Sequence, residues 1–139
     1  MRSAVHHFNG TDQNYDWEGL IKKEYADTGS AKLTSGRVVM GPQEGGPNFV
    51  FRYFVIQPGG NSTLPDQHVH DHGVYVLHGS GEVHLCGEVF PIQARDMIYI
   101  APNEVHGLVN TGDVPLGFIC VIPNKTRLHK FFELSGEKE

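Results

Sequence analysis

From position 41 onward, no apolar run continues for long before glycine, proline, asparagine or aspartate ends it. A chain punctuated in this way has no room for long helices and folds into many short strands joined by turns. Asn48 to Ile56 is aromatic and β-branched and is followed by Pro58-Gly59-Gly60; Gly73 to Leu77 ends at Gly79-Ser80-Gly81, and Glu82 to Cys86 ends at Gly87. Val89 to Ile92, Asp96 to Ile100, Gly107 to Val109 and Leu116 to Ile122 complete the set. Strands at this spacing predict an all-β sandwich or small antiparallel barrel. Ahead of them, one short helix is expected over Asp16 to Tyr25, with Asp16 as its N-cap. Residues 1–37 are expected to form an arm and 38–123 the barrel. Residues 124–139 are expected to be a tail that packs back through Lys130 to Leu134, one domain overall.

The 139 residues suffice for a single core. Eleven Lys and Arg against 16 Asp and Glu leave a net charge of −5, so no basic field exists for nucleic acid or anionic lipid. No apolar run reaches the roughly 20 residues of a membrane span, and the first residues lack a signal-peptide core. The expectation is a soluble, cytoplasmic protein with neither nucleic acid nor membrane as partner. Cys86 and Cys120 lie too far apart for a CxxC motif and are read as small core thiols.

The nine histidines are less ordinary, because six of them (His68, His70, His72, His78, His84 and His106) fall in one stretch of fewer than 40 residues. His68, His70 and His72 alternate, and in extended chain alternate side chains share a face. His68 and His72 would lie roughly 13 Å apart on a straight strand, so they reach one ion only if the chain bends, and Asp71 and Gly73 tolerate a bend. Three imidazoles on one face repel when protonated and cost desolvation when buried neutral. A bound metal removes that conflict; a pH-responsive histidine patch is the alternative. His106 follows a turn and can reach across a barrel. His78, His84 and His129 read as surface or hydrogen-bonded residues, and His6 and His7 as part of a mobile terminus.

Pro58-Gly59-Gly60, His-x-His, Val76-Leu77-His78-Gly79-Ser80-Gly81, Ala94-Arg95-Asp96 and Pro102-Asn103-Glu104-Val105-His106 with Asn110 resemble, in order and spacing, the two motifs of the cupin superfamily. The resemblance covers about residues 38–123 and implies a single cupin, a small β-barrel or jelly roll holding one metal. Carried onto this chain it gives His68, His70, His72 and His106 as ligands. A second count places Asp66 in the set in place of His70. Asn103 and Arg95 stand where members often have glycine; asparagine tolerates left-handed backbone, and Arg95 has no evident reason.

Imidazole ligands suit Zn²⁺ first, with Mn, Fe, Co, Ni or Cu chemically admissible. The strands supply Phe49, Phe51, Phe54, Val74, Val76 and Phe118, so an apolar pocket is expected, lined by Phe51, Val74, Val76 and Phe118. Either Arg52 or Tyr53 is its polar group, since neighbours on a strand face opposite ways. The stretch Tyr15 to Tyr25 ahead of a small cupin is similar to the monocupin cyclases of bacterial aromatic polyketide pathways. That likeness implies aldol-type ring closure with dehydration at zinc, with a metal-bound water as base. It also implies a polyketide substrate, a homodimer, and a polyketide synthase or other pathway cyclases as partners. A cupin dioxygenase using Fe, Mn or Ni and a non-catalytic binding cupin remain the alternatives.

Overall fold

The computed structural model describes residues 3–20 and 30–124. Eight strands follow in chain order: β1 (Lys32–Met40), β2 (Phe49–Asn61), β3 (His72–His78), β4 (Ser80–Leu85), β5 (Glu88–Gln93), β6 (Met97–Ile100), β7 (His106–Val109) and β8 (Leu116–Pro123). All pairings are antiparallel, in the order β5-β4-β7-β2-β8-β3-β6, with β1 added to β2. Among the described residues there is no α-helix, only a 3-10 turn at Pro42–Glu44. The β5-β4-β7 group meets β2 through the single pair Asn61↔Val109. The sheet therefore curls into a half-barrel with a cavity between its two parts. No helix of the described residues is long and apolar enough to cross a membrane.

Strand alternation sorts the side chains into two cores. Val50 and Ile56 of β2, Val74 and Val76 of β3, and Phe118, Cys120 and Ile122 of β8 point into the barrel. Tyr53 and Val55 of β2, with Val39, point outward and are buried beneath Tyr15, Trp17 and Leu20. Tyr15 stacks on Tyr53 at 5.9 Å with planes 7° apart, and its backbone N–H donates to the Tyr53 hydroxyl at 3.0 Å. That docking overrides the helix expected from Asp16. Phe8 bridges Trp17 in extended chain and Gly19 turns at φ 77°, so residues 16–20 are not helical. The rest of that segment, and the expected packing of Lys130 to Leu134, lie outside the described residues, as does His129.

Two boundaries also differ. The first strand starts at Lys32, inside the expected arm, because β1 pairs with β2 along most of its length. Pro58-Gly59-Gly60 does not end β2 but forms a bulge, where the register slips between Lys32↔Asn61 and Thr34↔Ile56. The Ala94-Arg95-Asp96 turn accounts for Arg95's position: its φ is 79°, like that of Asn103 at 65°. Both residues take the left-handed backbone that glycine takes more easily.

His6 is not part of a loose end. It meets the Glu44 carboxylate at 2.6 Å and fastens the N-terminal segment to the 3-10 turn. The Glu44 hydrogen bond holds the His6 pKa above its ordinary value. Burial pushes Glu44 up, but the bonds from His6 and the Gly41 N–H outweigh it and leave it below its ordinary value. The histidine's contribution is complete below about pH 6.5 and fades as pH rises through its raised value; the carboxylate's is complete above about pH 4.3 and fades as pH falls through its lowered value. Fluorescence of Trp17, the single tryptophan, should report tightest docking between those limits and loosening above neutrality, with His6→Ala flat over the alkaline range. An unchanged wild-type signal from pH 6 to about 9 contradicts this.

Candidate metal centre

Residues 62–71 connect β2 to β3 and fold over the open end of the barrel. Asp66 forms an isolated antiparallel bridge with His106, exchanging backbone hydrogen bonds of 2.8 and 2.9 Å. This pins the loop to β7. The chain bends at Val69 and His70, while Gly73 lies within β3, in register with Tyr99 and Val121. The bend brings His68 back beside His72, with ring centroids 4.9 Å apart. His106 closes the group at 5.6 Å from His68 and 5.1 Å from His72.

Ligand nitrogens of His68, His72 and His106 all lie within 4.8 Å of one another. His70 is buried and stacks on both neighbours, but its nitrogens do not join that group, and its Nδ1 faces the Asp71 carbonyl at 3.3 Å. The alternation expected for a straight strand fails here because the segment is a bent loop. Asp66, the other candidate from the sequence, borders the triad: its Oδ2 lies 3.0 Å from His68 Nε2 and 3.9 Å from His106 Nε2.

The remaining contacts orient the rings. The Nδ1–H of His106 donates to the Glu104 carbonyl at 2.9 Å, which leaves Nε2 as the nitrogen with a free lone pair. His72 Nδ1 meets the Cys120 thiol at 3.4 Å, while its Nε2 is buried with no hydrogen-bond partner. An orphaned buried nitrogen beside two further imidazoles is what a cation-binding site presents. Burial first, and then the charges of His68, His70, His106 and Arg52, push His72 down to about 3. It is therefore a neutral base at physiological pH, as ligation requires. Burial raises Asp66, but the hydrogen bond to His68 and that imidazole's charge outweigh it and keep the carboxyl below its usual range.

The triad opens onto a cavity of about 220 Å³. Val74 and Phe118 line it as expected, with Phe54, Ile100, Leu108, Cys120 and Arg52. Phe54 and Phe118 stack at 5.6 Å. Three expected residues are elsewhere. Phe51 and Tyr53 occupy odd positions of β2 and face the outer sheet surface, and Val76 sits fully buried in the core away from the cavity. Tyr53 donates or accepts at His78 Nε2 over 2.6 Å, and burial lifts its pKa to about 12. A bulge between Val76 and His78 turns His78 to that outer face, where it also bonds the Pro115 carbonyl. His84 points outward toward Glu82 at 3.6 Å. Cys86 is exposed in the β4–β5 turn, whereas Cys120 is the buried core thiol expected and also lines the cavity. Its even position on β8, shared with Phe118, is the signal that would have placed it.

A family model for the cupin domain matches residues 52–122. The chain belongs to the cupin family. This cupin is 31% identical over 115 residues to the 1-methylthio-D-xylulose 5-phosphate methylsulfurylase of Rhodospirillum rubrum, spanning 83% of this chain and 73% of that protein. It superposes on the polyketide cyclase RemF from Streptomyces resistomycificus with a TM-score of 0.70 at 27% identity, covering 88% of this chain and 80% of that one. A cupin 2 conserved barrel protein from Rhodopseudomonas palustris gives a TM-score of 0.73 at 24% identity, covering 86% and 80%, and shares the fold.

The ligand geometry makes a test that separates His70 from the triad. His72→Ala and His106→Ala should each lower divalent-metal affinity by more than about a hundredfold, while His84→Ala and His70→Ala stay within about tenfold of wild type. Competition with a chromophoric chelator, corrected for folded fraction, reads the difference. A His70→Ala loss equal to that of His72→Ala would move His70 back into the ligand set.

Proposed function

We propose that this cupin is a divalent-metal enzyme, loaded with zinc, that activates a ketone for enolisation and closes a ring in a poly-β-keto aromatic precursor with loss of water. The observation that carries the reading is the unpartnered Nε2 of His72, buried beside His68 and His106 at the floor of an apolar cavity. Three imidazoles with an open position are the donor set of many catalytic zinc sites, and the ion supplies Lewis acidity toward a carbonyl oxygen. Asp66 Oδ2, held ionised by His68, lines the cavity as the proton acceptor for the carbon next to that carbonyl, a weak base that depends on the acidity the bound ion would confer on that C–H. The carbanionic carbon attacks a second carbonyl of the same chain, and the resulting hydroxyl leaves as water. Phe54 and Phe118 hold the conjugated body of the substrate flat and exclude solvent. The likeness to a polyketide cyclase supports this choice.

A second reading is sulfur chemistry on a ketose phosphate, favoured by the methylsulfurylase relative and by the Cys120 thiol within the cavity. Release of a thiol from a methylthio-ketose phosphate, without any cyclase activity, would select it.

Protein purified without added metal should carry about one zinc per chain and close the ring of a linear aromatic poly-β-ketone without oxygen uptake. Iron or manganese at that level, with oxygen consumed, would replace the cyclase reading by a dioxygenase. Asp66→Asn should keep its metal and lose about 10²- to 10⁴-fold in kcat. Full activity in that variant would remove Asp66 as the base.

A further inference from the structure

Arg52 lies in the cavity wall, linked to His72 of the triad through the Cys120 sulfur that both contact, and is the one Lys or Arg among the described lining residues. Its position follows from register: on β2 it pairs across to Cys120 of β8 and to Val38 of β1, and its side chain enters the barrel. The guanidinium rests over the Phe54 ring, with Cζ 5.0 Å from the centroid. Its Nη2 donates to the Cys120 sulfur at 3.4 Å, a weak acceptor, and its Nε is buried with no partner at all. Among the described residues no carboxylate lies within ion-pair distance of it.

A half-buried guanidinium left with a thiol, a ring face and a buried, orphaned Nε–H is a costly arrangement unless something else completes it. Nothing in the packing requires a cation there, since Cys120, Val38 and Phe54 would accept an apolar neighbour. The missing partner is an acceptor that arrives with a ligand. A planar ligand suits it, because Phe54 and Phe118, cross-strand partners on β2 and β8, stack on each other and offer one aromatic wall beside Arg52. A singly charged oxygen suits one guanidinium, whereas a phosphate dianion would stay half neutralised with no second Lys or Arg in the wall.

We propose that Arg52 forms an anion subsite that holds a carboxylate or phenolate oxygen of a flat aromatic ligand, beside the histidine triad and separated from His72 by the Cys120 sulfur. The proposal rests on the reading of this cavity as the substrate site, and it narrows the substrate class. Arg52 is a binding and specificity residue in this account, not a base.

Salicylate, its uncharged analogue salicylamide, and phenyl phosphate serve as probes in calorimetric titrations of wild type, Arg52→Gln, Arg52→Lys and His72→Ala. Wild type should prefer salicylate to salicylamide by about tenfold or more. Arg52→Gln should lose that preference while its salicylamide affinity stays unchanged, and Arg52→Lys should retain part of it. Without ligand, Arg52→Gln should melt at or above the wild-type temperature, because it removes a half-buried guanidinium whose Nε–H is buried without a partner; a clear drop in Tm would make Arg52 structural and overturn the proposal. Salicylate failing to bind wild type, binding Arg52→Gln equally well, or binding more weakly than phenyl phosphate would each overturn it too. His72→Ala separates the two readings. A salicylate preference that survives there keeps the Arg52 subsite even if the metal reading fails, and one lost in Arg52→Gln alone leaves the metal reading untouched.

Discussion

Three imidazole rings whose centroids stand 4.9 to 5.6 Å apart cannot all be charged, and with His72 and His106 buried they cannot all be hydrated. One of two conditions must hold: the rings stay neutral at a desolvation cost, or they share a cation. The architecture around them favours the second. The Asp66–His106 bridge clamps the β2–β3 loop, the Glu104 carbonyl fixes the tautomer of His106, and the bend at Val69 and His70 folds His68 back onto His72. Each device spends backbone order on placing nitrogen lone pairs, and apolar packing alone would not require any of them.

Strand parity supplies the rest of the site. Even positions of β2, β3 and β8 put Arg52, Val74, Phe54, Phe118 and Cys120 around one cavity, and odd positions put Phe51 and Tyr53 on the opposite surface. The outer surface is itself covered by the N-terminal segment, through Tyr15, Trp17 and the His6–Glu44 contact. Tyr53, one of the two candidates for the pocket's polar group, instead anchors that segment. Its hydroxyl already serves the Tyr15 N–H and His78.

Much of this was legible in the residues. Short strands and their succession along the chain follow from punctuation, alternation says that Arg52 and Tyr53 face opposite ways without saying which faces inward, and the motifs point to the family that the chain belongs to. The misreadings share one cause: a local rule was applied where tertiary contacts overrule it. The bend that His68 and His72 require was expected at Asp71 and Gly73, but it falls at Val69 and His70, where the Asp66–His106 bridge holds the segment as a loop and the His70 nitrogens stay outside the close group. Pro58-Gly59-Gly60 looked like an end of strand and is a bulge within β2. Asp16 looked like a helix cap, but burial of Tyr15 and Trp17 against Tyr53 keeps that stretch extended. The orphaned atoms of His72 and Arg52 had no trace in the sequence, because they are defined by what does not contact them.

The central claim is that His68, His72 and His106 hold one ion, and X-ray absorption at the zinc edge of the loaded protein tests it most directly. The account predicts about three imidazole nitrogens at roughly 2.0–2.1 Å, with any remaining ligands being oxygen. A sulfur shell at about 2.3 Å, placing Cys120 on the metal, or a signal with at most one imidazole, would contradict it.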